Sequence, residues 1–320
     1  MDRSCFDIFS QYTDENIEDV RGLNAGHINE TMYIRTDEGN EYVLQSVNAS
    51  LYGGSLALLE DNYLCYKAAC ETAGVRAGQW ICPEWIRDRS GQFFYEGKNE
   101  TIYRLYRYIQ GDTADSTDDD ADPYVIGKGL GTMHRILDFC DKSRIRAALP
   151  YLHDLSYYYE QYRAVNADPD MRDESLDEVI FENINRMLAI SVPKGQVIHG
   201  DAKAGNMIVD SRRVKGFIDL DTLMQGSVFD DLADCIRSAC LDAKGGVIRE
   251  KADALIQGYE KGKEGHILPA QKDLIYDNVL KHRFMLGLRY YTDCLAGNLY
   301  FKENCPGESL KKARKLLTSI

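Results

Sequence analysis

The chain of 320 residues lacks any apolar run approaching the ~20 residues that span a bilayer. Its first residues, Met1-Asp2-Arg3-Ser4-Cys5-Phe6-Asp7, contain neither a basic region nor a long apolar stretch, so no signal peptide is apparent. These two absences predict a cytoplasmic protein with no membrane partner. Apolar residues make up 44% of the chain and charged residues 28%, which is typical of a soluble globular protein.

The sequence also lacks the excess of basic residues that a nucleic acid requires. It has 38 Lys and Arg against 51 Asp and Glu, giving a formal net charge of −13 at pH 7. We therefore expect no nucleic-acid partner, although a nucleotide could still bind through Mg²⁺ and a few local donors. Six aspartates lie between Asp112 and Asp122, and this run predicts a solvated loop, with metal binding as the less favoured alternative.

The nine cysteines include no Cys-x-x-Cys pair. Two pairs, Cys65 with Cys70 and Cys235 with Cys240, have a five-residue spacing inside segments with helical patterns, which does not place both thiols on one helix face. Structural thiols in a reducing compartment therefore explain the cysteines better than disulfides or a zinc site.

One run in the second half of the chain has the order of polar residues that phosphoryl transfer requires. Asp201 ends the segment Val197-Ile198-His199-Gly200-Asp201. Asn206 follows five residues later, and Asp219 eighteen residues later. In such a set the first aspartate accepts the proton of the attacking hydroxyl, while the asparagine and second aspartate ligate a metal. These hard oxygen ligands suit Mg²⁺. The alternative, a turn cap and a strand end, does not explain why all three occur together.

The local pattern around the two metal ligands predicts a hairpin. The segments Asn206-Met207-Ile208-Val209 and Val214-Lys215-Gly216-Phe217-Ile218 are typical of short strands, and Asp210-Ser211-Arg212-Arg213 is typical of a turn. Because paired strands run in opposite directions, this hairpin would place both metal ligands at one end, beside Asp201.

These residues resemble the catalytic loop of the aminoglycoside phosphotransferase and choline kinase superfamily, small-molecule relatives of the protein kinases. Three further segments resemble one branch, the N-acetylhexosamine 1-kinases: Gly26-His27-Ile28-Asn29, Ile218-Asp219-Leu220-Asp221-Thr222-Leu223-Met224 with Gly226-Ser227, and Arg289-Tyr290 followed by Gly297-Asn298-Leu299-Tyr300-Phe301. The resemblance covers the chain from about Gly22 to Phe301. It implies an ATP- and Mg²⁺-dependent kinase that phosphorylates the anomeric hydroxyl of an N-acetylhexosamine. Two alternatives stay open: a kinase of the same fold acting on choline, an amino acid or an aminoglycoside, and a pseudokinase that only binds.

The resemblance implies an α+β, bilobal protein-kinase-like fold, with a small antiparallel-sheet N-terminal lobe, one main helix in it, and a mostly helical C-terminal lobe. The residue patterns agree, with strands at Glu30–Arg35 and Glu41–Val47 and a helix at Ser55–Ala73. Gly111 is the predicted crossing point, so the lobes would be residues 1–110 and 111–320. Helical patterns follow at Pro123–Phe139, Asp154–Ala164, Asp173–Ile190, Phe229–Leu241, Ile248–Lys261 and Leu268–Leu295.

Four residues are assigned to the sugar. The resemblance implies that His27, Arg289 and Tyr300 contact it, Arg289 by donating from its forked guanidinium to hydroxyl or acetamido oxygens. Asp221 alternates with Asp219 in Ile-Asp-Leu-Asp and would bind sugar hydroxyls, with a second metal or a helix cap as alternatives.

Three residues are assigned to the nucleotide. Gly26 belongs to a loop before a strand, where glycine lets backbone N–H groups approach phosphates closely. Lys203 lies two residues after Asp201 and would contact the transferred phosphate, with a surface lysine as the alternative. Tyr108 lies in the segment Tyr106–Gln110, against which the adenine would pack.

Three other positions have predicted roles outside these sets. Gln45 departs from the kinase pattern, because kinases usually have a lysine there that holds the α- and β-phosphates. His199 is interpreted as a structural residue of the catalytic loop. Asp234 and Arg237 lie one helical turn apart and would form an exposed ion pair of small energy that steadies that loop.

Overall fold

The computed structural model of the protein describes residues 3–23, 30–53, 55–74, 80–115, 121–166, 171–210, 212–242, 245–301, 303 and 305–319. In these ranges an antiparallel sheet occupies the first third of the chain and helices dominate the rest. The predicted α+β class, with its sheet region first and its helical region second, is therefore confirmed.

The N-terminal sheet follows a short helix, α1 (Arg3–Phe9). Its strands in the described residues are β1 (Ile17–Leu23), β2 (Thr31–Thr36), β3 (Glu41–Val47), β4 (Trp85–Ile86), β5 (Phe94–Glu96) and β6 (Ile102–Arg107). The order is β1-β2-β3-β6-β4, β5 also pairs with β6, and all pairs are antiparallel. The predicted hairpin of β2 and β3 is present. Strand β1 was not predicted, because its alternation is weak and most of it is only half-buried.

Both faces of this sheet are covered. On one face, helix α2 (Leu56–Thr72) places Tyr63 against Trp85 of β4, with ring centroids 4.2 Å apart and nearly parallel planes. On the other, Phe9 of α1 lies edge-on to Tyr42 of β3, with centroids 5.5 Å apart. Aromatic pairs of this kind contribute about 0.5–1.5 kcal/mol beyond the area they bury. The sheet is therefore held between two apolar layers.

The helical region contains α3 (Pro123–Leu137), α4 (Leu155–Ala164), α5 (Glu174–Ala189), α6 (Val228–Ala239), α7 (Arg249–Lys263), α8 (Pro269–Leu295) and α9 (Glu308–Leu317) in the described residues. The first six match predicted helices, with ends within two residues of the predicted ones. Helix α9 was not predicted. Among the described residues, no helix combines the length and apolar character needed to cross a membrane.

Helices α3 and α7 approach so closely that glycine is required at their contact. A Cβ atom added to Gly127 would lie 1.9 Å from the carbonyl oxygen of Leu255, and one added to Gly258 would lie 2.0 Å from that of Tyr124. Because carbonyl oxygens of a helix backbone cannot move aside, any larger residue would separate the two helices. Helix α3 in turn supplies His134 beneath the catalytic loop.

Two small sheets position the site. In the first, β7 (Asp112–Thr113), β9 (Met207–Asp210) and β10 (Arg213–Phe217) have the order β10-β9-β7. In the second, β8 (Gln196–Ile198) pairs with β11 (Met224–Gly226). The predicted hairpin is confirmed as β9 and β10.

One expectation about the acidic run was wrong. We expected the whole run from Asp112 to Asp122 to be a solvated loop, but Asp112 and Thr113 form β7 and pair with Val209 and Ile208 of β9. Backbone pairing overrides the polarity of the side chains here, because an edge strand can keep them in water. Residues 116–120 of the run lie outside the described residues. The boundary between lobes at 110 and 111 stays a prediction, and β7 already pairs with a strand of the helical region.

Candidate active site

The loop after β8 folds back on itself around Asp201. The side-chain amide of Asn206 donates to the backbone oxygen of Asp201 at 2.8 Å and to its carboxylate Oδ2 at 3.0 Å. The ammonium of Lys203 lies 2.5 Å from the same Oδ2. Among the described residues, nothing hydrogen bonds to Oδ1 of Asp201. The sequence spacing of five thus becomes a rigid turn that fixes one carboxylate oxygen and leaves the other open.

The charges around Asp201 keep it ionised. Burial raises the pKa of a carboxyl, but the adjacent ammonium of Lys203 outweighs this effect and holds the pKa of Asp201 below its usual value. In return, the pKa of Lys203 is raised: burial would lower it, and the charge of Asp201 more than compensates. At neutral pH the pair is a carboxylate and an ammonium, so Asp201 can accept a proton.

His199 links the catalytic loop to the strand that precedes Asp219. The ring is fully buried. Its Nε2 donates to the carbonyl oxygen of Ile218 at 3.0 Å, and its Nδ1 accepts from the backbone N–H of Asp201 at 3.3 Å. These contacts use both ring nitrogens, and they agree with the structural role predicted for His199.

Asp231 in the first turn of α6 is a site residue that sequence reasoning missed. Its carboxylate accepts from the backbone N–H groups of His199 at 2.8 Å and Gly200 at 2.9 Å. It also lies 2.8 Å from Nε2 of His134, whose Nδ1 is 3.0 Å from the hydroxyl of Tyr259. All of this is buried. One carboxylate therefore satisfies the backbone of the catalytic loop from below. The acidic cluster at the start of α6 was the only available signal.

Gly200 makes a close approach that excludes other residues. Its φ angle is +87°, and an added Cβ would lie 2.3 Å from the backbone oxygen of Thr222. The hydroxyl of Thr222 donates to the carbonyl of His199 at 2.9 Å. The segment after Asp219 is thus packed directly against the segment before Asp201.

A backbone hydrogen bond between neighbouring segments brings Asn206 and Asp219 close together. The N–H of Ile218 donates to the carbonyl oxygen of Asn206 at 2.9 Å, which places the two predicted metal ligands at one end of the hairpin. Asp219 has left-handed dihedral angles, φ 59° and ψ 59°, and begins a short 3-10 turn, Leu220–Thr222. Burial, and then the charge of Asp221, raises the pKa of Asp219. A carboxylate in such surroundings would gain from a cation.

The donor set fits Mg²⁺. Because Asn206 uses its amide nitrogen for Asp201, its side-chain oxygen is left for a metal, and Asp219 supplies carboxylate oxygens. In the described part of the chain, no group of three or more His, Cys, Asp or Glu side chains could hold a metal. Asn206 and Asp219 alone can suffice for Mg²⁺, which takes one or two protein ligands and completes its shell with phosphate oxygens and water.

Asp221 is buried rather than open to the cleft, with 1% of its surface exposed. Its two oxygens accept from the guanidinium of Arg104 at 2.5 and 3.0 Å, and the hydroxyl of Tyr52 donates at 3.2 Å. Arg104 belongs to β6, so this ion pair joins the N-terminal sheet to the loop that begins at Asp219. We call this loop the metal loop, because Asp219 is a predicted metal ligand. Sequence reasoning missed Arg104. The predicted contact of Asp221 with sugar hydroxyls stays a prediction.

Arg289 and Tyr300 are brought together at the end of α8. The guanidinium carbon of Arg289 lies 5.7 Å from the ring centroid of Tyr300, 4.8 Å from that of Tyr158 and 5.6 Å from that of Phe301. No carboxylate forms an ion pair with Arg289 within the described residues. In the same residues no hydrogen bond or ion pair joins Arg289 or Tyr300 to Asp201, so their role in substrate binding stays a prediction.

The remaining assigned residues are Tyr108, Gly26 and His27. Tyr108 follows β6; its N–H donates to the backbone of Glu41 at 3.0 Å, and its ring lies edge-on to Tyr33 with centroids 5.1 Å apart. Its place beside the adenine stays a prediction. Gly26 and His27 lie outside the described residues.

The predicted ion pair of Asp234 and Arg237 is confirmed, with Nε of Arg237 2.6 Å from Oδ1 of Asp234. It was expected to be exposed, and this was wrong, because only 16% of the Arg237 side chain and 6% of the Asp234 side chain are accessible. Ser238 connects the pair to the loop: its hydroxyl donates to the backbone of Asp234 and accepts the N–H of Ala204 at 2.9 Å.

His282 of α8 completes this cluster and predicts a pH dependence of stability. Its ring nitrogens lie 3.1 Å from Asp230 and 3.1 Å from Asp234, and the ring of His153 lies beside it, with centroids 5.1 Å apart and the planes tilted by 34°. Burial would lower the pKa of His282, but hydrogen bonds to the two carboxylates raise it to about 9. The unfolded value is about 6.5. This contribution, roughly 3 kcal/mol, is therefore present below pH 6.5 and lost as the pH rises through 9.

We expect the free energy of unfolding in urea to fall between pH 6.5 and 9.5 in the wild type and to change much less in His282→Gln. We compare how steeply the free energy of unfolding falls with pH in the two proteins. Other groups that titrate in this range are present in both proteins, so their contributions cancel. The matched control is His266→Gln, since the side chain of His266 is 93% exposed. Equal slopes in the wild type and His282→Gln would show that His282 is not protonated in the folded protein.

The chain is similar to several known proteins. Homoserine kinase from Methylobacterium radiotolerans is 23% identical over 271 residues, which are 81% of this chain and 76% of that protein. Spectinomycin phosphotransferase APH(9)-Ia, solved with ADP and spectinomycin, aligns over 98% of this chain and 93% of its own, with a TM-score of 0.64 and 15% identity. Amicoumacin kinase hAmiN, solved with AMP-PNP, Ca²⁺ and Ami, aligns over 98% of this chain and 92% of its own, with a TM-score of 0.66 and 14% identity.

At these identities the solved structures show the fold alone, and they confirm the predicted kinase-like architecture. The Asp201 loop and the hairpin beside Asn206 and Asp219 lie within this shared fold. The family assignment comes from the sequence, because the pattern of the phosphotransferase enzyme family matches residues 19–264. This match covers well over half of the chain, and the chain therefore belongs to the phosphotransferase enzyme family.

Proposed function

We propose that this protein transfers the γ-phosphoryl group of ATP to the anomeric hydroxyl of an N-acetylhexosamine, giving a sugar 1-phosphate. The observation that carries the phosphoryl-transfer step is the geometry of Asp201. Its Oδ2 is held by Lys203 and Asn206, and no hydrogen bond in the described part of the chain engages Oδ1, which could therefore accept from an incoming hydroxyl. The sugar and the site of phosphorylation rest on the resemblance of three sequence segments to N-acetylhexosamine 1-kinases.

Asp201 would act as the general base. An alcohol has a pKa far above 7, so its proton leaves only as the bond to phosphorus forms, and a positioned carboxylate takes that proton. An anomeric hydroxyl is more acidic than a primary one. A carboxylate such as Asp201, whose pKa is held low by Lys203, is therefore a sufficient base for this acceptor.

Asn206 and Asp219 would hold Mg²⁺ together with the nucleotide phosphates. When bound, the ion would neutralise charge that develops on the transferred group. The chain's own contribution is to fix both ligands, through the Asn206–Asp201 bonds on one side and the left-handed turn at Asp219 on the other. Lys203 lies close enough to both aspartates to affect their pKa values, and it would also face a transferred phosphoryl group.

The sugar side would be formed by Arg289 and Tyr300. The guanidinium of Arg289 is surrounded by aromatic rings and makes no ion pair within the described residues, so its N–H groups are free to donate to neutral oxygens. Flat aromatic faces next to such a donor suit a sugar ring. This arrangement supports a neutral acceptor rich in hydroxyl groups.

A second candidate acceptor is homoserine. The observation that favours it is the relative of 23% identity over 81% of the chain, which is a homoserine kinase. Homoserine has a primary hydroxyl and a carboxylate, and the unpaired Arg289 could pair with that carboxylate. The two candidates differ in which hydroxyl reacts, so a panel of acceptors separates them.

We expect N-acetylglucosamine or N-acetylgalactosamine to stimulate ADP formation from ATP, whereas their methyl glycosides are inert because O1 is blocked. The methyl glycosides are the matched controls, since O6 remains free in them. Turnover of L-homoserine and of neither sugar would replace the proposal by the second candidate. Nucleotide binding without turnover of any acceptor, choline included, would indicate a pseudokinase.

A further inference from the structure

The place of the usual kinase lysine is taken by a glutamine that faces an arginine. Gln45 of β3 lies directly opposite Arg104 of β6 in the sheet register. Its side-chain oxygen accepts from Nε of Arg104 at 2.9 Å and from Nη2 at 2.6 Å, and its amide donates to Thr31 at 3.3 Å. A positive charge is therefore present at this part of the sheet, on the neighbouring strand.

Arg104 makes its hydrogen bonds with other side chains of the protein. A guanidinium has five N–H groups. Two of them donate to Gln45 and two to Asp221, and only 3% of Arg104 is exposed. Its plane also lies over the ring of Trp85, 4.9 Å from the centroid. Arg104 is thus not placed to hold phosphates as a kinase lysine does. Its charge is committed to Asp221.

Asp221 is two residues from Asp219, so the contacts of Asp221 restrict where Asp219 lies. Asp219 has left-handed dihedral angles, which aspartate adopts more readily than most residues, and the contacts of the residues that follow it hold the chain in this turn. On its C-terminal side the described contacts include the bond from Tyr52 to Asp221, the bidentate bond from Arg104 to Asp221 and the bond from Thr222 to His199. Arg104 belongs to the sheet, and His199 belongs to the catalytic loop.

We propose that Arg104, aligned by Gln45, is a positioning residue that fixes the carboxylate of Asp219 through Asp221 and so ties the metal loop to the N-terminal sheet. Gln45 and Arg104 would therefore take the structural role of the lysine–glutamate pair found in other kinases, without contacting the nucleotide. The inference rests on the proposed function only in taking Asp219 as a metal ligand. It requires neither the sugar nor turnover, so nucleotide binding can test it separately.

Calorimetry of AMP-PNP binding, with and without Mg²⁺, tests this inference. In Arg104→Lys, which keeps the charge but cannot make the forked contact, we expect affinity for Mg²⁺·AMP-PNP to fall at least tenfold. Affinity for AMP-PNP in EDTA should change less than twofold. The control is Arg35→Lys in β2 of the same sheet, where the arginine side chain is 48% exposed and 3.1 Å from Glu18, and it should bind like the wild type. Circular dichroism at the assay temperature confirms folding.

A folded Arg104→Lys protein with wild-type affinity for Mg²⁺·AMP-PNP would overturn the proposal. Equal losses with and without Mg²⁺ would also overturn it, because they would indicate a general structural role. If Arg104→Lys does not fold, the same binding measurement is made with Gln45→Lys. This variant places a lysine where kinases have one, but it removes an acceptor of Arg104 and adds a like charge. We expect at least threefold weaker binding of Mg²⁺·AMP-PNP, and tighter binding would refute the inference.

Discussion

Replacing Asp201 by asparagine is expected to lower kcat by ~10²–10⁴-fold, the range typical for loss of a positioned base. The amide has nearly the same shape but cannot accept a proton. Lys203 and Asn206 lose a charged partner, yet the loop keeps its support from Asp231 and His199 below. We therefore expect a folded protein whose affinity for Mg²⁺·AMP-PNP stays within threefold of the wild type.

The matched control for this variant is Asp210→Asn. Asp210 is also an aspartate of the catalytic region, but it is exposed at the tip of the hairpin, where it lies 3.3 Å from Arg213 and accepts the backbone N–H of Arg212 at 3.2 Å. Such a surface pair contributes little to stability, and its loss should leave turnover unchanged. Steady-state ADP release at saturating acceptor measures kcat for both variants. An Asp201→Asn protein within tenfold of wild-type kcat would remove Asp201 from the role of base.

Replacing Asp219 by asparagine is expected to weaken metal binding and stabilise the metal-free protein. Asparagine tolerates left-handed dihedral angles as aspartate does, so the backbone should not change. The lost charge is a metal ligand, and we expect at least ~10-fold weaker activation by Mg²⁺ together with a large loss of kcat. In EDTA the same change removes repulsion from Asp221 and Asp201, which together with burial raises the pKa of Asp219.

The stability half of this prediction is measured as a melting temperature in EDTA. Each kcal/mol gained would raise it by roughly 1–2 °C for a chain of this length. Magnesium titration of turnover measures the other half. An unchanged Mg²⁺ dependence in Asp219→Asn would move the metal to other ligands. A lower melting temperature in EDTA would show that Asp219 is stabilised by partners other than a cation.

Local patterns predicted the parts of the fold whose residues are close in sequence. The hairpin of β9 and β10 was predicted because strand, turn and strand lie within about a dozen residues. Seven helices, α2 to α8, were predicted because their apolar residues recur with a helical period. Strands β7 and β11 were missed. Each has two or three residues, and only pairing with a distant strand makes it a strand.

The same limit applies to the site. Asp201, Asn206 and Asp219 were predicted because their order and spacing match a chemical requirement. Arg104 is 117 residues from Asp221 in sequence, and nothing local indicates their contact. Asp231 was missed for the same reason, because its partners lie on the catalytic loop and on α3. Contacts between distant segments, rather than the ligands themselves, were what the sequence left undetermined.

The central claim, phosphoryl transfer from ATP to the anomeric oxygen of an N-acetylhexosamine, is tested most directly by phosphorus NMR of the product. Wild-type protein, ATP, Mg²⁺ and N-acetylglucosamine or N-acetylgalactosamine are incubated, with the Asp201→Asn protein as the blank. The account predicts a new phosphate resonance coupled to H1 of the sugar, present only with the wild type. A 6-phosphate resonance, or no sugar phosphate alongside a phosphate ester of homoserine, would contradict it.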